Sequence, residues 1–222
     1  NSVEKNIYEQ LEREHVIEAE MIESSLNRMV GEVQALGTAP AVINALGAPD
    51  RASQVLDPML KRSPLIADDH NDFYLFDANL NRVYAIDPKG AWLSDSAELA
   101  KKAIFQLKTQ AAIYKSGSSF ILQIAQPVEA RGVLVLSQSI NDLMGRFFQG
   151  RQDIAAWVLE DQSGQVLSNL GDSKNVDQTI AKELFGRADQ KNNQDGFGKN
   201  FGGEESWRTI KGPLRLIQPL GD

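Results

Sequence analysis

Residues 73–86 read Phe73-Tyr74-Leu75-Phe76-Asp77-Ala78-Asn79-Leu80-Asn81-Arg82-Val83-Tyr84-Ala85-Ile86. Two aromatic and β-branched runs flank a turn rich in Asp and Asn, which is the pattern of a β-hairpin. Upstream of it the period is helical. Tyr8, Leu11, His15, Ala19, Ile22, Leu26, Met29, Val33 and Leu36 follow one another at three or four residues, and no proline interrupts them. The other face carries Glu4, Glu9, Glu12, Glu14, Glu18, Glu20 and Glu23. At 1.5 Å per residue such a helix runs roughly 54 Å, against about 11 residues for an ordinary globular helix. It reads as a spine rather than a local packing element.

Between spine and hairpin, Gly37-Thr38-Ala39-Pro40 stops the long helix, and short helices are expected around Val42 to Leu46 and Ser53 to Lys61. Beyond the hairpin a helix is expected from about Ser96 to Tyr114, with Asp95 as its N-cap, Glu98 completing a capping box, and Lys115 and Gly117 closing it. Strands follow at Ser119 to Pro127 and Gly132 to Ile140, then an amphipathic connector from Asn141 to Phe148. Strand pair, helix, strand pair is a compact α+β module.

The arrangement restarts at Ala155. Trp157-Val158-Leu159 and Gln165-Val166-Leu167 flank Glu160-Asp161-Gln162-Ser163-Gly164, a helix is expected over Val176 to Phe185, and last strands over Ser206 to Ile210 and Leu214 to Gln218. The fold class is therefore α+β, with a spine over 1–37, one module over 38–148 and a second over 149–222, related by pattern rather than by matched residues.

Composition bounds the function. The chain of 222 residues is 42% apolar, carries a net charge of −7 and contains no cysteine. That length suits two small modules, and the acidic balance argues against a nucleic-acid backbone or an anionic membrane surface as partner. Without cysteine there is no thiolate nucleophile, disulfide or zinc–sulfur site, which suits an oxidising compartment such as a periplasm. No run of about 18 apolar residues is present to span a bilayer. The chain opens inside a helical pattern at Asn1 and stops after an apolar run at Gly221-Asp222, so it reads as a piece of something longer.

Taken in order, these features resemble the tandem Cache, or double PAS-like, sensor domains of bacterial chemoreceptors, sensor histidine kinases and cyclic-dinucleotide signalling proteins. The resemblance rests on the long helix, Phe73-Tyr74-Leu75-Phe76-Asp77, Arg131-Gly132-Val133-Leu134-Val135-Leu136 leading into the connector, Ser163-Gly164-Gln165-Val166, and Gly212-Pro213-Leu214 with Pro219-Leu220-Gly221. It implies two PAS-like modules, each a small antiparallel sheet with flanking helices, the first membrane-distal and ligand-binding, the second membrane-proximal. It further implies a homodimer through the N-terminal helix, flanking transmembrane helices in the full-length protein, a periplasmic location, no cofactor and no catalysis in this region. The amino-acid-binding members supply an acid from the strand after the Gly-Val run. This chain has Ser137 there, and no Arg-x-Trp pair precedes it.

A small ligand in the first module calls for aromatic walls and a few polar groups. Tyr84, Trp92, Phe120, Gln123 and Ser137 are the candidates, with Arg82 and Asp87 at the hairpin rim. Trp92 is favoured because it sits in a loop between strand and helix; the plainer role for each aromatic is core packing. Asp68-Asp69-His70-Asn71-Asp72 is dense in hard ligands but lacks the spacing of a calcium loop, and reads as a solvated loop. His15 falls on the spine's apolar stripe and reads as packed rather than as a pH switch. Gly196-Phe197-Gly198-Lys199-Asn200-Phe201-Gly202-Gly203 matches neither dinucleotide nor Walker spacing and reads as a surface loop. No nucleophile elbow is present, so hydrolase chemistry is unsupported. Two rival functions remain: a module that senses a protein partner through a filled core, and a cytoplasmic PAS module with a flavin or haem, for which a suitable Cys or His is not evident.

Overall fold

A computed structural model describes residues 2–66, 71–89, 96–148, 157–160, 166–170, 196–200, 203–209 and 215–219. Helix α1 runs over Ser2–Gly37, followed by α2 (Pro40–Gly47), a single 3₁₀ turn (Pro49–Arg51) and α3 (Ala52–Leu60). Then come β1 (Asn71–Asp77), β2 (Arg82–Ala85), α4 (Ser96–Gln106), β3 (Gln110–Ser116), β4 (Ser119–Val128), β5 (Gly132–Ser139) and α5 (Ile140–Phe148). The last five elements are β6 (Trp157–Glu160), β7 (Val166–Leu170), β8 (Gly196–Asn200), β9 (Gly203–Thr209) and β10 (Arg215–Pro219).

Residues 27–143 form one compact unit, and residues 1–26 with 144–222 form another. The first unit is organised by an antiparallel sheet of order β2-β1-β5-β4-β3, and the second by one of order β7-β6-β10-β9-β8. The orders are identical when strands are numbered within each sheet.

The β1–β2 turn shows why Asp and Asn were needed there. The Asp77 carboxylate accepts the backbone N–H of Asn79 at 2.9 Å and of Asn81 at 2.8 Å, and the Asn81 amide at 2.9 Å. These bonds, that of the Asn81 side chain foremost, hold the Asp77 carboxyl below its usual range. Leu80 takes a left-handed conformation to close the turn, with φ 63°.

The two faces of the first sheet carry different cores. One buries Phe73, Leu75, Leu122, Ile124, Leu134 and Leu136, and on this side the sheet meets the N-terminal helices, where Val42, Ala45, Leu56 and Leu60 are buried. Here Gln34 of α1 donates to Thr109 at 2.9 Å, and Thr109 donates to Gln126 of β4 at 2.6 Å. On the other face α4 lays Leu99, Ala100 and Ala103 over Tyr74, Phe76, Ala125, Val133 and Val135. Alternation along each strand sends successive residues to opposite faces, so β5 can be buried along nearly its whole length.

Several sequence expectations are corrected. The helix expected to reach Tyr114 ends at Gln106, and β3 follows. Leu107 adopts φ 51° and Lys108 N–H returns to the Ala103 carbonyl, a helix stop made without glycine. Residues 110–116 then pair with β4 along their length, which overrides the helical propensity of Gln110-Ala111-Ala112. Glu18, expected on the solvated acidic face, is 7% exposed. It lies four residues before Ile22 and therefore joins the stripe. Residues 196–203, expected to be a surface loop, instead supply β8 and the start of β9, which begins three residues before the expected strand at Ser206 and pairs with β8 through backbone bonds that low-propensity Gly and Asn do not advertise. The helix expected over 176–185, along with Asp68, Asp69 and His70, lies outside the described residues.

Candidate functional site

Strand register places Asp72 of β1 opposite Ser137 of β5, Ser137 opposite Gln123 of β4, and Gln123 opposite Ala112 of β3. These four residues make one row across four strands. By alternation the row shares the α4 face of the sheet, because Tyr74, Val135 and Ala125, two positions along their strands, pack under α4. On its far side the row is bordered by Tyr114 and Ile121, which are opposite one another. Apolar packing is thus interrupted by a polar stripe.

Two members of the stripe are bonded to each other. Gln123 Nε2 donates to Ser137 Oγ at 2.8 Å, with Gln123 2% and Ser137 7% exposed. Gln123 Oε1 is buried and has no hydrogen-bond partner among the described residues. A buried acceptor left unmet costs about 1–3 kcal/mol, so such an atom is unusual unless something else meets it.

Charge gathers at one end. Burial lifts the Asp72 carboxyl above its usual range, and the negative charge of Asp87 lifts it further. Tyr74 is pushed up to about 12 by burial and by the charges of Asp72 and Asp87, with Arg82 acting in the opposite direction. Asp72, Tyr74, Asp87 and Arg82 therefore share one electrostatic neighbourhood. Arg82 and Asp87 are exposed; Arg82 Nη1 donates to the Pro88 carbonyl at 3.2 Å, and Asp87 accepts the Lys89 N–H at 2.9 Å.

The seven residues singled out from sequence are thus divided by the sheet. Gln123 and Ser137 meet directly, while Arg82 and Asp87 act on Tyr74 beside them. Tyr84 lies on the opposite face, edge-on to Phe73 with ring centroids 6.1 Å apart, and its hydroxyl donates to Asp57 of α3 at 2.7 Å. Burial, that bond and the Asp57 charge all raise its pKa. Phe120 shares the face of Leu122 and Ile124, two and four residues on. Trp92 lies outside the described residues, and of His15 only the helical backbone is described. Asp72 and Tyr74 were missed from sequence, although counting two residues from the Phe76 side of the hairpin puts both on one face.

Among the described residues no group of three His, Cys, Asp or Glu is placed to hold a metal ion, and no helix is long and apolar enough to cross a membrane. The row offers hydrogen bonds and charge, not a nucleophile with a base.

No protein-family model matches the chain, and no curated protein sequence is recognisably similar to it. Solved structures are similar in fold. A domain of a sensory box/GGDEF family protein from Vibrio parahaemolyticus superposes with a TM-score of 0.67 at 13% identity, covering 96% of each chain. The extracellular domain of the histidine kinase vpHK1S-Z8 gives 0.65 at 14% identity, covering 96% of this chain and 92% of that one. The ligand-binding domain of the Pseudomonas aeruginosa amino acid chemoreceptor PctB, in complex with L-Arg, gives 0.62 at 15% identity, covering 96% and 88%. The chain has the Cache-type fold of these sensor domains.

Proposed function

We propose that this chain is the extracytoplasmic sensor region of a bacterial transmembrane receptor, and that it binds a small molecule on the α4 face of its first sheet. The observation that carries the reading is the Asp72–Ser137–Gln123 row, buried at Ser137 and Gln123 and with an unmet acceptor, inside a fold whose solved examples include a chemoreceptor domain holding L-Arg. The division into a spine over 1–37, a distal module over 38–148 and a proximal module over 149–222 belongs to the same reading. So do a periplasmic location, membrane anchoring through flanking segments, and an output carried by a separate cytoplasmic region. No catalytic role is assigned to the chain itself.

Homodimerisation belongs to it as well. Val3, Ile7, Ile17 and Met21 of α1 are 53–64% exposed. Their positions fall on one three-four series, the seam that a second parallel α1 covers. Replacing Ile17 and Met21 by Glu should convert a dimer seen by sedimentation at high protein concentration to a monomer. A native chain that stays monomeric throughout removes this element.

The test of the sensor reading is a thermal-shift screen against organic acids, amines, amino acids, sugars and nucleobases, since a ligand of the native state raises the melting point by mass action. A hit abolished by Ser137→Leu, which fills the row, supports the placement; a hit indifferent to it refutes the placement. The near-complete burial of Gln123 and Ser137 favours one rival, a filled core that senses a protein partner. A flat screen together with a purified, saturable protein partner would establish that rival instead.

A further inference from the structure

The two edges of the first sheet are finished differently. Edge strand β2 is four residues long, meets β1 with a slip in register, and is tied to α3 through the bond from Tyr84 to Asp57. The opposite edge, β3, runs seven residues in unbroken register with β4 and pairs with no other strand among the described residues. It joins β4 through the two-residue turn Gly117-Ser118, in which Gly117 takes φ 62°, so the flanking pair Ser116 and Ser119 exchanges both backbone bonds. Alternation then directs the main-chain N–H and C=O of Gln110, Ala112 and Tyr114 toward β4, and those of Ala111, Ile113 and Lys115 outward. These outward groups have no partner among the described residues, and Ala111 and Lys115 are exposed. Proteins ordinarily shorten, bulge, cover or charge such an edge, and of these devices β3 has only Lys115.

Charge near this edge is opposite to that of the chain. Residues 99–128, most of α4 with β3 and β4, contain Lys101, Lys102, Lys108 and Lys115 and neither Asp nor Glu, within a chain of net charge −7. Lys101 is paired with Glu98 at 2.8 Å, whereas Lys102, Lys108 and Lys115 are exposed and form no ion pair among the described residues. Where α4 leads into β3, Phe105 is 89% and Leu107 59% exposed. We propose that the free edge of β3 receives an extended, acidic polypeptide segment of a protein partner, which adds a strand to the sheet. Backbone bonds to Ala111, Ile113 and Lys115 hold such a strand whatever its sequence, the lysines select acidic side chains, and Phe105 and Leu107 offer apolar contact beside them. A second copy of β3 is the poorer occupant, because it brings the same lysines to the same edge. This docking edge goes beyond the small-molecule reading and does not depend on it.

The experiment titrates the 222-residue chain with a blocked heptapeptide of alternating Glu and Val, and separately with its Lys and Val counterpart, and follows amide hydrogen exchange residue by residue. The acidic peptide should slow exchange at the amides of Ala111, Ile113 and Lys115, and the basic one should leave them fast. Replacing Lys102, Lys108 and Lys115 by Glu should weaken the acidic peptide roughly 10-fold, the combined worth of three exposed charge pairs. Ala111→Pro deletes an outward N–H and no bond to β4, so binding should be lost from a chain whose melting curve shows it folded. Failure of the acidic peptide to protect these three amides overturns the proposal, as does equal binding of the two peptides. Protection of the same amides that rises with protein concentration in the absence of peptide gives the edge to a second copy and overturns the acidic partner.

Discussion

Gly132 opens β5 at the point where the strand lies between β1 and β4, paired with Asp77 on one side and Val128 on the other. A methyl group added there would press on the Phe76 carbonyl oxygen and come within 2.9 Å of Leu46 Cδ2. The leucine can rotate away; the carbonyl belongs to the sheet and cannot. Overpacking of a core typically costs about 1–3 kcal/mol, and contact with backbone puts Gly132→Ala near about 3 kcal/mol. For a chain of this size the melting point should fall by about 6–12 °C. Gly31 is the internal control. It sits exposed within α1, where an added methyl meets nothing within 4 Å, so Gly31→Ala should stabilise by about 1 kcal/mol through helix propensity. Urea unfolding followed by circular dichroism reads both, with unchanged slope confirming that native stability is what moved. Equal stability of Gly132→Ala and the parent would refute the assigned β5 packing, and loss of stability in Gly31→Ala would refute the open surface assigned to that turn of α1.

Asp72→Asn should raise the melting point at pH 7. A carboxyl whose folded pKa lies above the ordinary 3.8 stabilises the fold fully only below that value, and the benefit is lost as pH rises through the folded pKa. The advantage of the Asn variant should therefore shrink on acidification and vanish below about pH 3.8 in a pH series of melting curves. Tyr84→Phe removes the bond to Asp57 and should cost about 1 kcal/mol in chemical denaturation; because Tyr84 is on the helical side of the sheet, ligand affinity should stay at the parent value. Leu107→Gly should stabilise by about 0.5–1 kcal/mol, since this exposed leucine holds φ 51° where glycine sits without strain.

The parts of the fold visible in the sequence were those where local chemistry and tertiary packing agree. The Asp77-Ala78-Asn79-Leu80-Asn81 turn carries its hydrogen-bonding groups in its own letters, and the spine's stripe from Ala19 to Val33 is buried as its spacing demands. Residues 110–116 hid because their helix stop uses Leu107, not a glycine, and because only pairing with β4 turns Gln-Ala-Ala into a strand. For the candidate site, residue type pointed to Gln123 and Ser137, but assigning Tyr84 and Asp72 to faces needs register. Leu75 pairs with Tyr84 and Phe76 with Arg82, a slip in β2 that no composition rule announces. Asp72 was obscured further by its acidic neighbours, which made the segment look like a solvated loop.

The strand order also carries a consequence for biosynthesis. In both sheets the strand made last, β5 or β10, lies in the interior of the sheet, between β1 and β4 or between β6 and β9. A nascent chain therefore holds each module as two separated pieces with open edges until its final strand leaves the ribosome, and the long-range pairing that closes the sheet is the slow step. A chain cut short before Gly132 or Arg215 loses the centre of a sheet, not its margin, and the corresponding module cannot form in a reduced version.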